Sequence, residues 1–240
     1  MNWLYNEFQQ IGKDYSLEEE VKVYDETHSR FRDIHQESNE LLKLLNVTDR
    51  DVLVDFGSGS GVFAIEAAKV CKKVYAVDIS QNMLSLARNK AICSNVENIE
   101  FVHSGFLNFA LTPKSVDYIT STFSFHHLPD FWKKVALEKM NFLLKDDGIL
   151  FIKDVIIEDS TPFENINRFI AEQEKLGGVF LKEDAEQHFR EEYSTFDWVI
   201  DSLLERSGFS IQSKSIEKGL IASYLCVKSN EHNKTRALND

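Results

Sequence analysis

Short apolar runs alternate with amphipathic stretches along most of this chain, and that rhythm predicts its elements. "DVLVDF" (51–56), "KVYAVDI" (73–79), "IEFVHS" (99–104), "VDYITSTFSF" (116–125) and "GILFIKDVII" (148–157) are apolar runs of strand length. "VFAIEAAKVC" (62–71), "QNMLSLARNKAI" (81–92) and "DFWKKVALEKMNFLL" (130–144) carry helical spacing between them. Ser80 is a natural N-cap for the second of these helices, and Pro129 fits the first turn of the third. Strands that alternate with helices imply a parallel, doubly wound sheet.

The rhythm differs at both ends. Residues 17–45 have apolar positions at helical spacing and contain neither glycine nor proline, which predicts one or two helices ending before Asn46. Residues 158–192 hold ten acidic and four basic residues and are interrupted by Gly177-Gly178. This helical insertion is either a solvated connection or a lid over the carboxyl edge of the sheet, where open α/β folds place ligands. "STFDWVIDSLLERSG" (194–208) predicts a last helix with a serine cap and a closing Gly208. "FSIQSKSIE" (209–217) and "LIASYLCVK" (220–228) flank Lys218-Gly219 as a β-hairpin, so one strand must run antiparallel to its neighbour.

Composition narrows the partners. With 240 residues and 43% hydrophobic content the chain can bury a full α/β domain. A formal net charge of −12 disfavours a nucleic-acid partner, whose affinity depends on Lys and Arg neutralising phosphates. No apolar run approaches the roughly 20 residues needed to span a bilayer, and the start lacks a signal-peptide pattern. Cys71, Cys93 and Cys226 show no metal-ligand spacing, no metal site is expected, and the odd cysteine count predicts a reducing, cytoplasmic setting.

The chemistry concentrates at "VLVDFGSGSGVF" (52–63). Gly57, Gly59 and Gly61 follow a strand, but Val62 stands where a dinucleotide fingerprint needs its third glycine, and the Gly-Lys-Ser/Thr ending of a P-loop is absent. Asp55 would repel a phosphate at such a loop and attract a cation. A ligand that keeps adenosine but replaces phosphates with positive charge fits, and S-adenosylmethionine is such a ligand. Asp78 ends the second strand at about the separation from the loop at which an acid meets ribose hydroxyls; its alternative is a strand-end cap for the next helix.

Taken in order, these motifs resemble those of the class I S-adenosylmethionine-dependent methyltransferases, closely over about residues 45–157. "VLVDFGSGSG" is similar to the family's first motif, "VYAVDIS" to its acidic second-strand motif, "VDYITSTFSFHHLPD" to its fourth-strand motif and "LLKDDGILFIKD" to its fifth. The resemblance implies a Rossmann-like α/β fold: a seven-stranded, mostly parallel sheet with an antiparallel terminal strand, plus N-terminal helices and a helical insertion. It implies one domain over 1–240, divided into a helical cap (1–45), the cofactor core (46–157), the acidic insertion (158–193), the last helix and hairpin (194–229) and a flexible tail (230–240). By the same resemblance Asp55, Gly57, Ser58 and Gly59 line the methionine half of S-adenosylmethionine, Asp78 and Ile79 hold the ribose and flank adenine, and Ser121 and Thr122 sit beside the reactive methyl.

One departure stands out. Many relatives carry Gly-Asp after the third strand, and here Gly105 stands at the aspartate position, so backbone groups of Ser104, Gly105 and Phe106 or another side chain must hold adenine. Tyr15 and Tyr24, in the segment that closes over the cofactor in this branch, are either contacts or core aromatics. His126 and His127 in "FHHLPD" are the candidate general bases, or else pack at the strand end; His28, His188 and Asp154 are weaker candidates. The "HHLPD" form and the chain length imply, by that resemblance, a small-molecule acceptor; a monomer or homodimer is expected. A non-catalytic cofactor-binding module, a nicotinamide-dependent oxidoreductase, and a protein or tRNA methyltransferase are the rival readings.

Overall fold

The computed structural model describes residues 3–9, 11, 12, 21 and 33–229. In chain order these form α1 (Ile34–Leu45), β1 (Val52–Phe56), α2 (Val62–Ala68), β2 (Lys73–Asp78), α3 (Gln81–Cys93), β3 (Ile99–His103) and β4 (Val116–Thr122). A 3₁₀ turn (Phe125–His127) follows, then α4 (Asp130–Leu143), β5 (Leu144–Ile157), α5 (Pro162–Glu191), β6 (Thr195–Phe196), α6 (Asp197–Arg206), β7 (Phe209–Glu217) and β8 (Ile221–Lys228). The sheet order is β3-β2-β1-β4-β5-β8-β7, with the short β6 pairing alongside β5. Strands β1 to β5 pair in parallel, while β8 is antiparallel to both β5 and β7.

Strand alternation distributes β1 between two cores. Val54 and Phe56 pack with Ile119, Ile152, Leu137 and Met140 on one face. Leu53 packs with Leu42, Ala64 and Val74 on the other. Each of these fully buried large side chains stabilises the fold by roughly 1.5–3 kcal/mol. Helix α4 shows the same logic at helical spacing, burying Ala136, Leu137, Met140 and Leu143. Its final carbonyls at Asn141 and Leu144 accept from the buried Lys228 Nζ at 2.6 and 2.7 Å, which ties the last strand to the helix end.

Most expected caps and turns are present. Ser80 Oγ accepts from Met83 N, and Asn46 closes α1 in the left-handed conformation. Lys218 and Gly219 both have positive φ, and Leu220 N donates to Glu217 O at 3.1 Å, as a tight hairpin between right-twisted strands requires.

Gly177 and Gly178 interrupt α5 as the sequence predicts, with non-helical backbone at both residues. Two expectations need correction. The fourth strand ends at Thr122, and "FHH" forms a 3₁₀ turn. Ser194 is not the cap of the last helix: α6 starts after Phe196, because Thr195 and Phe196 first pair with Ile156 and Ile157. Among the described residues, no helix is long and apolar enough to cross a membrane. The tail 230–240 and residues Tyr15, Tyr24 and His28 lie outside the described residues, so expectations placed there are untouched.

Candidate active site

The carboxyl ends of β1, β2 and β4 meet at one edge of the sheet because the strands are parallel and in register: Asp55 lies beside Ala76 and Thr120. A cleft of about 840 Å³ opens there. Asp55, Gly57, Ser58, Gly59, Asp78 and Ile79 line it, as do Ser104, Gly105, Phe106 and Thr122. Ser121 does not. Its side chain is fully buried and its Oγ lies 2.9 Å from Ser124 Oγ, because adjacent residues of a strand point to opposite faces.

The glycine loop is held against β2. Gly57 N and Ser58 N both donate to Val77 O, at 2.9 and 3.0 Å. Gly57 has φ 68°, and a Cβ there would collide with Ser124, so only glycine lets the loop turn this closely. Asp78 accepts from Gly59 N at 2.7 Å and from Ser80 N at 2.8 Å, so it braces both the loop and the residue that caps α3. Asp55 is buried and accepts from Thr120 Oγ1 at 2.8 Å. Burial, opposed by the Thr120 hydrogen bond and reinforced by the nearby Asp78 charge, pushes the Asp55 carboxyl up to about 7.

Ser58 Oγ is the one buried side-chain polar atom among the described residues without a hydrogen-bond partner. A buried hydroxyl left unsatisfied costs roughly 1–3 kcal/mol, so its place in the loop marks a ligand position. Together with the backbone cradle and two carboxylates, it fits a ligand that carries a carboxylate, two cationic centres and a ribose. The residues therefore fit S-adenosylmethionine.

Sequence reasoning missed one residue here. Glu7, from the N-terminal segment, reaches the turn after β3: its carboxylate accepts from Leu107 N at 3.0 and 3.1 Å and from Asn108 Nδ2 at 2.6 Å. A Cβ at Gly105 would collide with that carboxylate. A glycine at 105 is therefore what the close approach of Glu7, from about a hundred residues upstream, requires. Burial pushes the Glu7 carboxyl up, against the pull of its backbone and Asn108 hydrogen bonds. The only signal in the sequence was the absence of an acid at position 105.

The two histidines differ sharply. His126 is buried, with Nδ1 2.5 Å from Asp154 Oδ1 and Nε2 3.1 Å from Glu192 Oε2. Burial alone would lower its pKa, but the Asp154 and then the Glu192 carboxylates push it up to about 10. An imidazolium with both N–H groups engaged has no lone pair for a proton, so the expectation of His126 as general base is overturned. Asp154 likewise does not line the main cleft; it accepts from Phe125 N, His126 N and Val155 N as well as the His126 ring. His127 lines the cleft, half-buried, with its ring centroid 4.3 Å from that of His126. Burial and then the His126 charge lower its pKa to about 4, so it is a neutral imidazole at pH 7.

Helix α5 forms the far wall of the cleft, through Arg168, Phe169, Leu181 and His188 among others, which makes the acidic insertion more than a solvated connection. Its exit is fixed by Tyr193, whose N donates to His126 O at 2.9 Å and whose carbonyl accepts from the buried Lys133 ammonium.

Comparison with known proteins agrees with this geometry. Residues 53–148 match the family described as a methyltransferase domain. An uncharacterised methyltransferase of Geobacillus sp. (strain WCH70) is 31% identical over 196 residues, covering 82% of this chain and 85% of that protein. Among solved structures, an S-adenosylmethionine-dependent methyltransferase from Aquifex aeolicus superposes with a TM-score of 0.62 at 20% identity, covering 88% of this chain and 98% of the other. Geranyl diphosphate C-methyltransferase from Streptomyces coelicolor, in complex with S-adenosyl-L-homocysteine, gives 0.64 at 11% identity over 80% and 75% of the two chains. With a motif-bearing sheet edge, a loop shaped for a cationic nucleoside and a relative above 30% identity across most of its length, the chain belongs to the class I S-adenosylmethionine-dependent methyltransferases, and S-adenosylmethionine is its cofactor.

Proposed function

We propose that this methyltransferase acts on a small-molecule acceptor, bound between the ends of β4 and β5 and the wall made by α5, with His127 as general base. The observation that carries this reading is the cleft itself: about 840 Å³, walled by α5 on the side away from the glycine loop. That volume lies within the range of small-ligand sites and suits a nucleoside cofactor beside a compact acceptor. The net charge of −12 supports the same reading against a tRNA acceptor.

S-adenosylmethionine supplies a methyl group on a sulfonium, which is already a good leaving group. The residues therefore need to orient the acceptor, exclude water and remove a proton. The glycine loop and Asp55 hold the amino-acid end, and Asp78 lies where ribose hydroxyls are bound. Glu7 keeps acceptor capacity beyond its bonds to Leu107 and Asn108, since a carboxylate offers about four lone-pair sites, and it takes the adenine amino group. His127 accepts the proton from an acceptor hydroxyl or amine as the nucleophile attacks.

The acceptor class is tested by incubating the protein with methyl-labelled S-adenosylmethionine and separated metabolites, tRNA and protein fractions. Label in the metabolite fraction is the expected result; label in tRNA or protein alone overturns the reading, and binding without transfer to any fraction favours a non-catalytic module. His127→Ala is expected to lower kcat about 100-fold with little change in KM, the usual scale of a lost general base. Because the His127 pKa is lowered to about 4, its imidazole is deprotonated from about pH 5 upward, and an acid limb near pH 6.5 in kcat, measured at saturating S-adenosylmethionine so that the Asp55 effect on affinity drops out, would exclude it. Glu7→Ala is expected to weaken S-adenosylhomocysteine about tenfold while barely changing S-inosylhomocysteine, which lacks the amino group. Equal losses for both ligands would remove the adenine role from Glu7.

A further inference from the structure

A cluster beside this cleft has no part in the reading above. Nε2 of His126, Nδ1 of His188 and Oε2 of Glu192 converge: the carboxylate oxygen is 3.1 Å from the first ring nitrogen and in contact with the second. The three side chains offer ligand atoms that all lie within 4.8 Å of one another. We propose that His126, His188 and Glu192 form a binding site for one divalent metal ion of the zinc type.

The geometry requires little adjustment. A tetrahedral ion with nitrogen and oxygen ligands at about 2.0–2.2 Å places those atoms about 3.4 Å apart, so small side-chain rotations open the space. Both imidazoles are already fixed by the hydrogen bonds that metal-bound histidines make. His126 presents Nδ1 to Asp154, itself held by three backbone N–H groups, and His188 presents Nε2 to Ser194 Oγ at 2.8 Å. Such outer partners set the tautomer and point the remaining nitrogen at the ion. Gly12 adds room, since a side chain there would collide with the Glu192 carboxylate.

The donor set selects the ion. Two imidazoles and one carboxylate suit zinc and its first-row neighbours; calcium and magnesium need more oxygens, and copper(I) prefers sulfur. His126, His188 and Glu192 all line the cleft, which leaves the fourth coordination position facing it. Three protein ligands and one open position are the pattern of an ion that binds water or substrate rather than one that only staples a fold. On the proposed small-molecule reading, the open position receives a hydroxyl, thiol or carboxylate of the acceptor.

The test is direct metal binding to the full-length protein after chelator treatment. Titration with Zn²⁺ in a calorimeter is expected to show one equivalent with micromolar or tighter affinity, and Co²⁺ to give the intense visible absorption of a four-coordinate site. His188→Ala and Glu192→Gln should each weaken binding at least tenfold, and Ser194→Ala by a smaller factor. S-adenosylhomocysteine binding by the same variants verifies that they remain folded. Binding weaker than millimolar, or tight binding that survives both His188→Ala and Glu192→Gln, overturns the proposal. These readouts do not involve methyl transfer, so a wrong acceptor class would leave them unchanged.

Discussion

Asp55→Asn should make the cofactor-free protein more stable at pH 8, by about 1–3 kcal/mol, while weakening S-adenosylmethionine ten- to hundredfold. Both effects come from one buried carboxylate whose pKa is pushed up to about 7. Between about pH 4 and pH 7 the folded protein keeps a proton on Asp55 that the unfolded chain has lost. Stability therefore declines as pH rises through that window and levels off above about 7. Three pKa units correspond to about 4 kcal/mol, of which the asparagine recovers only part, because its amide must replace the Thr120 hydrogen bond with equal geometry. The ligand reverses the sign. A cation near the ionised carboxylate gains a few kcal/mol at an effective dielectric of about 20, so wild-type affinity should rise from pH 6 to pH 8 and that rise should vanish in the variant. Urea denaturation at pH 5 and pH 8, with calorimetric titration of the cofactor, measures both. If the variant is less stable at pH 8 and binds S-adenosylmethionine as well as the wild type, Asp55 serves packing alone.

Asp154→Ala should cost about 3–5 kcal/mol, or roughly 10 °C in Tm for a chain of this size, in chelator-treated protein. The loss is large because Asp154 accepts from three backbone N–H groups and the His126 ring within a region closed to water. Removing it leaves the imidazolium with a single counter-charge, Glu192. The pH dependence adds a second check. The His126 pKa is raised, so its stabilisation is complete below about 6.5 and is lost as pH rises toward about 10. Asp154 is lowered, despite burial, mainly by the His126 charge, so its contribution is present at neutral pH and is lost on acidification. Thermal melts from pH 6 to pH 10 should slope downward in the wild type and be flatter in Asp154→Ala. A variant that melts within 2 °C of the wild type at pH 7 would show the pair to be dispensable.

These two residues also divide what could be read along the chain from what could not. Asp55 was legible because its meaning is local: a carboxylate two residues before the first glycine of the loop argues about charge wherever the rest of the chain goes. Asp78, Ser80 and the Lys218-Gly219 hairpin were legible for the same reason, since strand ends, caps and tight turns depend on a few adjacent residues. His126 was legible only as two alternatives, a general base or a side chain packed at the strand end; Asp154 and Glu192 arrive from 28 and 66 residues later and decide for the buried, packed histidine. Ser121 and Thr122 were taken as a pair, but alternation along β4 sends one into the interior and the other to the cleft.

Hydrophobic period and turn chemistry thus determined the class of fold, the order of its strands and helices and the glycine loop, while the charge of Asp55 and the resemblance of the ordered motifs gave the kind of cofactor. Those features are written in short-range patterns that each segment carries by itself. The tertiary structure alone decided that Glu7 fills the place left by the glycine at 105, that α5 walls the cleft rather than standing away from it as a solvated connection, and that His126, His188 and Glu192 converge. Each depends on side chains far apart in sequence meeting where parallel strands end, and no local period records which distant residues a sheet edge will bring together.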